Sequence, residues 1–142
     1  MEEKVQVVLA QWQTCVEMAN NISQRRDSMN NLMVTLNLAL ITAISIVWDL
    51  KSIIMCCAGM VASLVWILFI NYFKRINKAK YDVIIYLESK LPEKPFYEEW
   101  EMLKEDKKHR DGTCLEKALP IVFTTIYIIL AAMLFSMKEV QV

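Results

Sequence analysis

Residues that break helices are scarce in this chain: its 142 residues include two glycines and three prolines. None of the five falls ahead of Gly59, so nothing interrupts a helix from the N-terminal segment through the first apolar block. The shortage also excludes a glycine-rich phosphate loop and a strained nucleophile elbow. Histidine is nearly absent. The single one, His109, stands among Lys107, Lys108 and Arg110 and reads as a solvated loop residue, which leaves no Ser/His/Asp set. The four cysteines show no Cys/His ligand spacing, so no metal site and no cofactor are expected. With no catalytic constellation in view, the chain is not expected to be an enzyme.

Charge is missing where it matters most. Three blocks, Leu32–Trp48, Ser52–Phe73 and Leu119–Met137, carry none. Each reaches or nearly reaches the ~20 residues that span a hydrocarbon layer. The expected fold is an all-α integral membrane protein with three transmembrane helices and long cytoplasmic helical extensions, assembled as a homo-oligomer. The first block follows a charged amphipathic segment and no small-residue cleavage pattern follows it, so it is not a secretory signal. Net charge is zero, but lysine and arginine crowd before the first block and between the second and third; only Lys51 and Lys138 lie elsewhere. The positive-inside rule then places the N-terminus and long loop in the cytoplasm and the Asp49–Lys51 turn and the C-terminal tail outside. Cys15 and Cys114 fall on the cytoplasmic side and Cys56 and Cys57 in the membrane, so reduced thiols are expected. Four segments follow: an N-terminal cytoplasmic helix over 1–30, a transmembrane hairpin over 31–73, a cytoplasmic helical region over 74–117, and a third span with a short external tail over 118–142.

The first block is not uniform. Asn31, Thr35, Leu38, Thr42, Ser45 and Asp49 recur at alternating steps of four and three, which keeps them on one face of a helix. Five of the six are polar, and a polar stripe in hydrocarbon is costly unless it faces protein or water. Two readings stand. Serine and threonine hydroxyls return to the preceding helical turn and need no partner, which makes the stripe an ordinary packing face. Alternatively the stripe lines a pore between copies, with hydroxyls toward passing ions and an Asp49 ring at the outer mouth that favours cations. Asn37 lies off the stripe and is expected to hydrogen-bond between helices.

Ahead of the block, Val5, Val8, Trp12, Cys15, Ala19, Ile22, Arg26 and Met29 form a seam at heptad spacing. One helix from about Glu3 to Trp48 is the simplest picture; a helix lying on the membrane surface is the competing one. The Asp49-Leu50-Lys51 stretch is short enough for only a tight hairpin. The second span, with small residues Ala58, Gly59, Ala62 and Ser63 for close helix approach, continues beyond Phe73 toward Leu91-Pro92. Its aromatic residues Trp66, Tyr72 and Phe73 are expected at the lipid interface. Ile76, Ala79, Val83, Tyr86 or Leu87, and Leu91 mark its later apolar face, with Glu88 off that face. A short helix over Glu98–Leu103 should pack Phe96, Trp100 and Leu103 back on these rods. A charged loop spans Lys104–Gly112, Thr113 and Glu116 have capping-box spacing, and Pro120 falls early in the third span.

Arg25, Arg26, Lys74 and Arg75 collect near the inner membrane face. They suit an anchor to anionic lipid headgroups, or a phosphate-binding collar for a nucleotide or oligonucleotide to which Asn20, Asn21 and Gln24 add hydrogen bonds. The candidate ligand set is Asn21, Gln24, Arg25, Arg26, Lys74 and Arg75.

Trp12-x-x-Cys15-x-x-Met18-Ala19-x-x-Ile22-Ser23-Gln24-Arg25-Arg26, then Thr35-Leu36-Asn37, then Leu91-Pro92-x-x-Pro95-x-x-Glu98-Glu99-Trp100 resemble a family of small bacterial membrane proteins: the HalA family of Hailong anti-phage effectors. The similarity covers most of the chain to about Leu103 and then the third span; its motifs are specific together and weak apart. The resemblance implies a homotetrameric ion channel held closed by a DNA oligomer that a partner nucleotidyltransferase makes. Relief of that brake on infection would depolarise the cell. Two competing functions are a non-conducting adaptor that docks a soluble partner through its cytoplasmic helices, and a surface helix that disrupts lipid order.

Overall fold

A computed structural model describes residues 2–105 and 112–140 of the chain, with side chains over 2–103 and 115–136. His109 and most of the charged loop Lys104–Gly112 lie outside the described residues, and the side chains of Thr113 and Cys114 lie outside those described. The elements are α1 (Glu2–Val47), α2 (Ser52–Glu88), α3 (Pro95–Glu105) and α4 (Gly112–Val140). Three stretches, Glu2–Val47, Ser52–Glu88 and Leu115–Ser136, are long and apolar enough to cross a membrane.

α1 runs unbroken for 46 residues, as a stretch without glycine or proline should. At about 1.5 Å per residue that is roughly 70 Å, more than twice a hydrocarbon layer. It ends in a tight connection: the Ser52 amide donates to the Asp49 carbonyl (2.8 Å) and the Ile53 amide to that of Leu50 (3.1 Å). The chain divides into two compact units, one of Met1–Arg26 with Tyr72–Asp111, the other of Asp27–Asn71 with Gly112–Val142. The first carries most of the charge and is called the polar unit below; the second is the apolar unit.

The apolar unit is a three-helix core. Met33 and Ile44 from α1, Cys56, Trp66 and Ile70 from α2, and Phe123, Tyr127 and Leu134 from α4 form one buried cluster. On α2 the buried positions Ser52, Cys56, Gly59, Ser63, Trp66 and Ile70 alternate by four and three. Gly59 is there for close approach: a Cβ built on it would collide with the Tyr127 ring. Trp66 corrects the expectation of an interfacial ring. It is fully buried, donates its indole N–H to Asn30 Oδ1 at 2.8 Å and packs on Phe123 with ring centres 6.1 Å apart. Its spacing from Gly59 and Ser63 puts it on the packed face, and the Asn30 acceptor satisfies the one polar atom that burial would orphan. Tyr72 is exposed. Pro120 lies nine residues into α4, not at its start, and is buried. The Thr124 hydroxyl donates to the Pro120 carbonyl (2.8 Å).

In the polar unit most of the heptad seam of α1 is covered inside the chain: Ala19 is buried, Val8, Trp12, Cys15 and Ile22 are partly so, and Val5 is exposed. The later face of α2 is rotated from the one expected. Ile84, Leu87 and Glu88 are buried, whereas Val83 and Tyr86 are exposed. Tyr86 instead lies under Lys90, whose ammonium is 4.3 Å from the ring centre. α2 stops at Glu88, three residues short of Leu91, because Pro92 disfavours helical geometry just before it. Of the three residues expected to pack back from α3, Phe96 and Leu103 are partly buried and Trp100 is half-exposed.

Candidate functional site: the outward polar row of α1

Every residue of the stripe is exposed on the single chain: Asn31, Thr35, Leu38, Thr42, Ser45 and Asp49. None of them is taken into the three-helix core. The hydroxyls are not idle. Thr35 donates to the Asn31 carbonyl (2.9 Å), Thr42 to that of Leu38 (2.8 Å) and Ser45 to that of Ile41 (2.9 Å). Each hydroxyl oxygen keeps its acceptor capacity on the outer side. Asp49 closes the row with an exposed carboxylate whose Oδ1 accepts the Leu50 amide at 2.6 Å.

The core-facing side of α1 fixes which way the row points. Asn37, fully buried, donates from Nδ2 to the Met33 carbonyl (2.7 Å). Its Oδ1 accepts from the Tyr127 hydroxyl (3.0 Å) and from Ser63 Oγ (3.4 Å). The amide thus joins α1, α2 and α4, as expected of a residue off the stripe. At 3.6 residues per turn the row lies roughly 120° around α1 from Asn37. The remaining third of the helix carries exposed Leu32, Leu36, Ile46 and Val47. α1 therefore has three distinct faces: one for its own core, one apolar, and one polar and unclaimed.

The candidate ligand set belongs to the polar unit. Asn21, Gln24, Arg25, Lys74 and Arg75 are exposed and Arg26 is partly buried, on the seam side of α1. Asn77, one turn beyond Lys74, has its Oδ1 buried with no hydrogen-bond partner, as does Ser52 Oγ at the start of α2.

Two residues that carry the architecture escaped the sequence reading. Tyr127 is one. The other is Glu88, whose carboxylate is fully buried. Its Oε1 accepts the Trp12 indole N–H (3.3 Å) and the Phe96 amide (3.2 Å), and its Oε2 accepts the Tyr97 amide (3.1 Å). Those amides open α3, where the first turn has N–H groups without helical partners. Trp12, Tyr81 and Phe96 ring the same spot, with Phe96 centred 5.8 Å from Trp12 and 6.0 Å from Tyr81. The signal available in sequence was a lone acidic residue next to Leu87, at seam spacing from Ile84 and Leu91.

Residues 9–136 match the octameric membrane protein family. The chain belongs to that family. No curated protein matches the chain. No solved structure matches it either. Membership supports a membrane protein that assembles with its own kind, and it corrects the tetramer expected from the resemblance, since the family is described as octameric. The heptad seam of α1 could not count copies: most of its residues pack within one chain, so their spacing reports the α1 fold partner and not the number of subunits.

Proposed function

We propose that the chain is the subunit of an oligomeric, cation-conducting channel in a bacterial inner membrane, lined by the outward row of α1. The observation that carries this reading is the row itself. Four polar side chains in a segment fit to cross a membrane, Asn31, Thr35, Thr42 and Ser45, and Asp49 in the turn just past its end are left uncovered by the chain's own helices. Polar groups at that depth stay out of lipid by facing other copies or water. The N-terminus and the α2–α4 connection are cytoplasmic on this reading, and the C-terminus periplasmic. Asn21, Gln24, Arg25, Arg26, Lys74 and Arg75 form an anionic-ligand collar for a nucleotide or DNA oligomer. The resemblance to Hailong effectors adds the biological setting: depolarisation and growth arrest in anti-phage defence, with no enzymatic step in this chain.

The test is electrical. Thr42→Trp should lower the current of the reconstituted protein, and Asp49→Asn should lower its preference for cations. Unchanged currents in both variants would remove the row from the conduction path. A second reading has its own observation: all three hydroxyls already reach a carbonyl of their own helix, so the row also suits a dry contact between copies. A non-conducting adaptor that docks a soluble partner follows from that version. It predicts that cells expressing the chain alone keep their membrane potential.

A further inference from the structure

We infer that the lumen is wide and weakly selective, passing hydrated ions and small solutes and discriminating by charge alone; this rests on the channel reading above. Packed helices sit about 8–10 Å apart. Eight α1 helices at ~9 Å spacing around one axis place their centres ~12 Å from it, and a helix with side chains takes up ~5–6 Å of that, leaving a passage ~12 Å across. Four helices at the same spacing would leave almost none. The octameric description of the family therefore changes the kind of pore and not merely its size.

The row's chemistry agrees with that width. A filter that strips water from an ion needs acceptors crowded against it. Here the hydroxyl protons of Thr35, Thr42 and Ser45 are bound to carbonyls of α1 itself, which holds those side chains back along the helix. Leu38, between Thr35 and Thr42, supplies no polar atom and is too far from the axis to meet its copies across the passage. Discrimination is left to the Asp49 ring, whose carboxylates the Leu50 amide holds at the mouth. Lys51, exposed two residues on, offsets part of their charge, so the preference for cations is slight.

The full chain, purified without any ligand and reconstituted in lipid vesicles and planar bilayers, tests this. Tetraethylammonium should carry current at a rate within a few-fold of potassium, and a small encapsulated dye should escape. Asp49→Lys should turn a slight cation preference into a slight anion preference while conductance stays within a few-fold. Thr42→Trp should lower both current and dye release. Current carried by potassium with tetraethylammonium and dye excluded would overturn the wide lumen and leave the channel reading intact. Dye release that Thr42→Trp does not alter, or no current at all, would overturn both.

Discussion

Each unit is held by one buried polar node, and the two nodes are built from different chemistry. In the apolar unit the node is a neutral amide, Asn37, receiving hydroxyls from Ser63 and Tyr127. In the polar unit it is a carboxylate, Glu88, receiving an indole N–H and two amides that open α3. Both side chains are fully buried and both tie together three helices. The difference follows from what surrounds them. A carboxylate next to lipid would be very costly, so the node among membrane-type helices is neutral and only packs and bonds. A charged acceptor is affordable in the polar unit, and there it can satisfy donors that would otherwise be orphaned. The Asn37 node sets the rotation of α1 and with it the direction of the row; the Glu88 node holds α3.

That contrast predicts unequal consequences. Glu88→Ala leaves the Trp12, Phe96 and Tyr97 donors without their acceptor in a part-buried site and should cost about 3 kcal/mol, with each orphaned donor costing roughly 1–3 kcal/mol before water enters. Hydrogen exchange should show the first turn of α3 losing protection while α4 keeps its own. If the amides of Phe96 and Tyr97 stay protected, the carboxylate is not what holds α3. Glu88→Gln, with one acceptor oxygen in place of two, should fall between. Next in size is Gly59→Ala. Its methyl group meets the Tyr127 ring, so α2 and α4 must part or the ring must move, at about 2 kcal/mol for an overpacked contact. The thermal midpoint in detergent should drop, and in a Tyr127→Ala background, where the ring is gone, the same Gly59→Ala change should cost little. A Gly59→Ala protein as stable as the parent would mean that the two helices are not in contact there.

Why these nodes differ in legibility is a matter of range. The unbroken α1, the hairpin turn after Asp49 and the apolar helices are local: they follow from the absence of glycine and proline and from uncharged runs. The exposed row was legible because its spacing and polarity sit in one segment. Asn37 was legible as a polar residue off the row, but its partners were not; Tyr127 is 90 residues away, and nothing in either segment names the other. Trp66 was misplaced because an aromatic residue near a span's end suits the interface, and only the Asn30 acceptor, 36 residues back, makes burial acceptable. Glu88 was placed off the apolar face, since hydrophobic periodicity has no way to value a carboxylate whose donors come from a later turn. Copy number failed for a related reason. A seam records that something packs against it and leaves open whether that is the same chain or another.

Tyr127→Phe gives the smallest expected effect and the sharpest comparison. It removes one hydroxyl and keeps the ring against Gly59, so shape and packing are unchanged. The lost donor serves both Asn37 Oδ1 (3.0 Å) and the Asn37 carbonyl (3.2 Å), yet each acceptor has company: Ser63 Oγ still reaches Oδ1. Hydrogen bonds between helices in a bilayer are worth about 0.6 kcal/mol on average, because separated helices in lipid also find partners. The loss should therefore be about 0.6 kcal/mol, several-fold smaller than that of Glu88→Ala, although the Asn37 node has the more apolar surroundings. Steric-trap or denaturant unfolding in bicelles measures it. A cost as large as that of Glu88→Ala would show that the amide node is not buffered by alternative partners, and the distinction between a neutral latch in the apolar unit and a charged one in the polar unit would collapse.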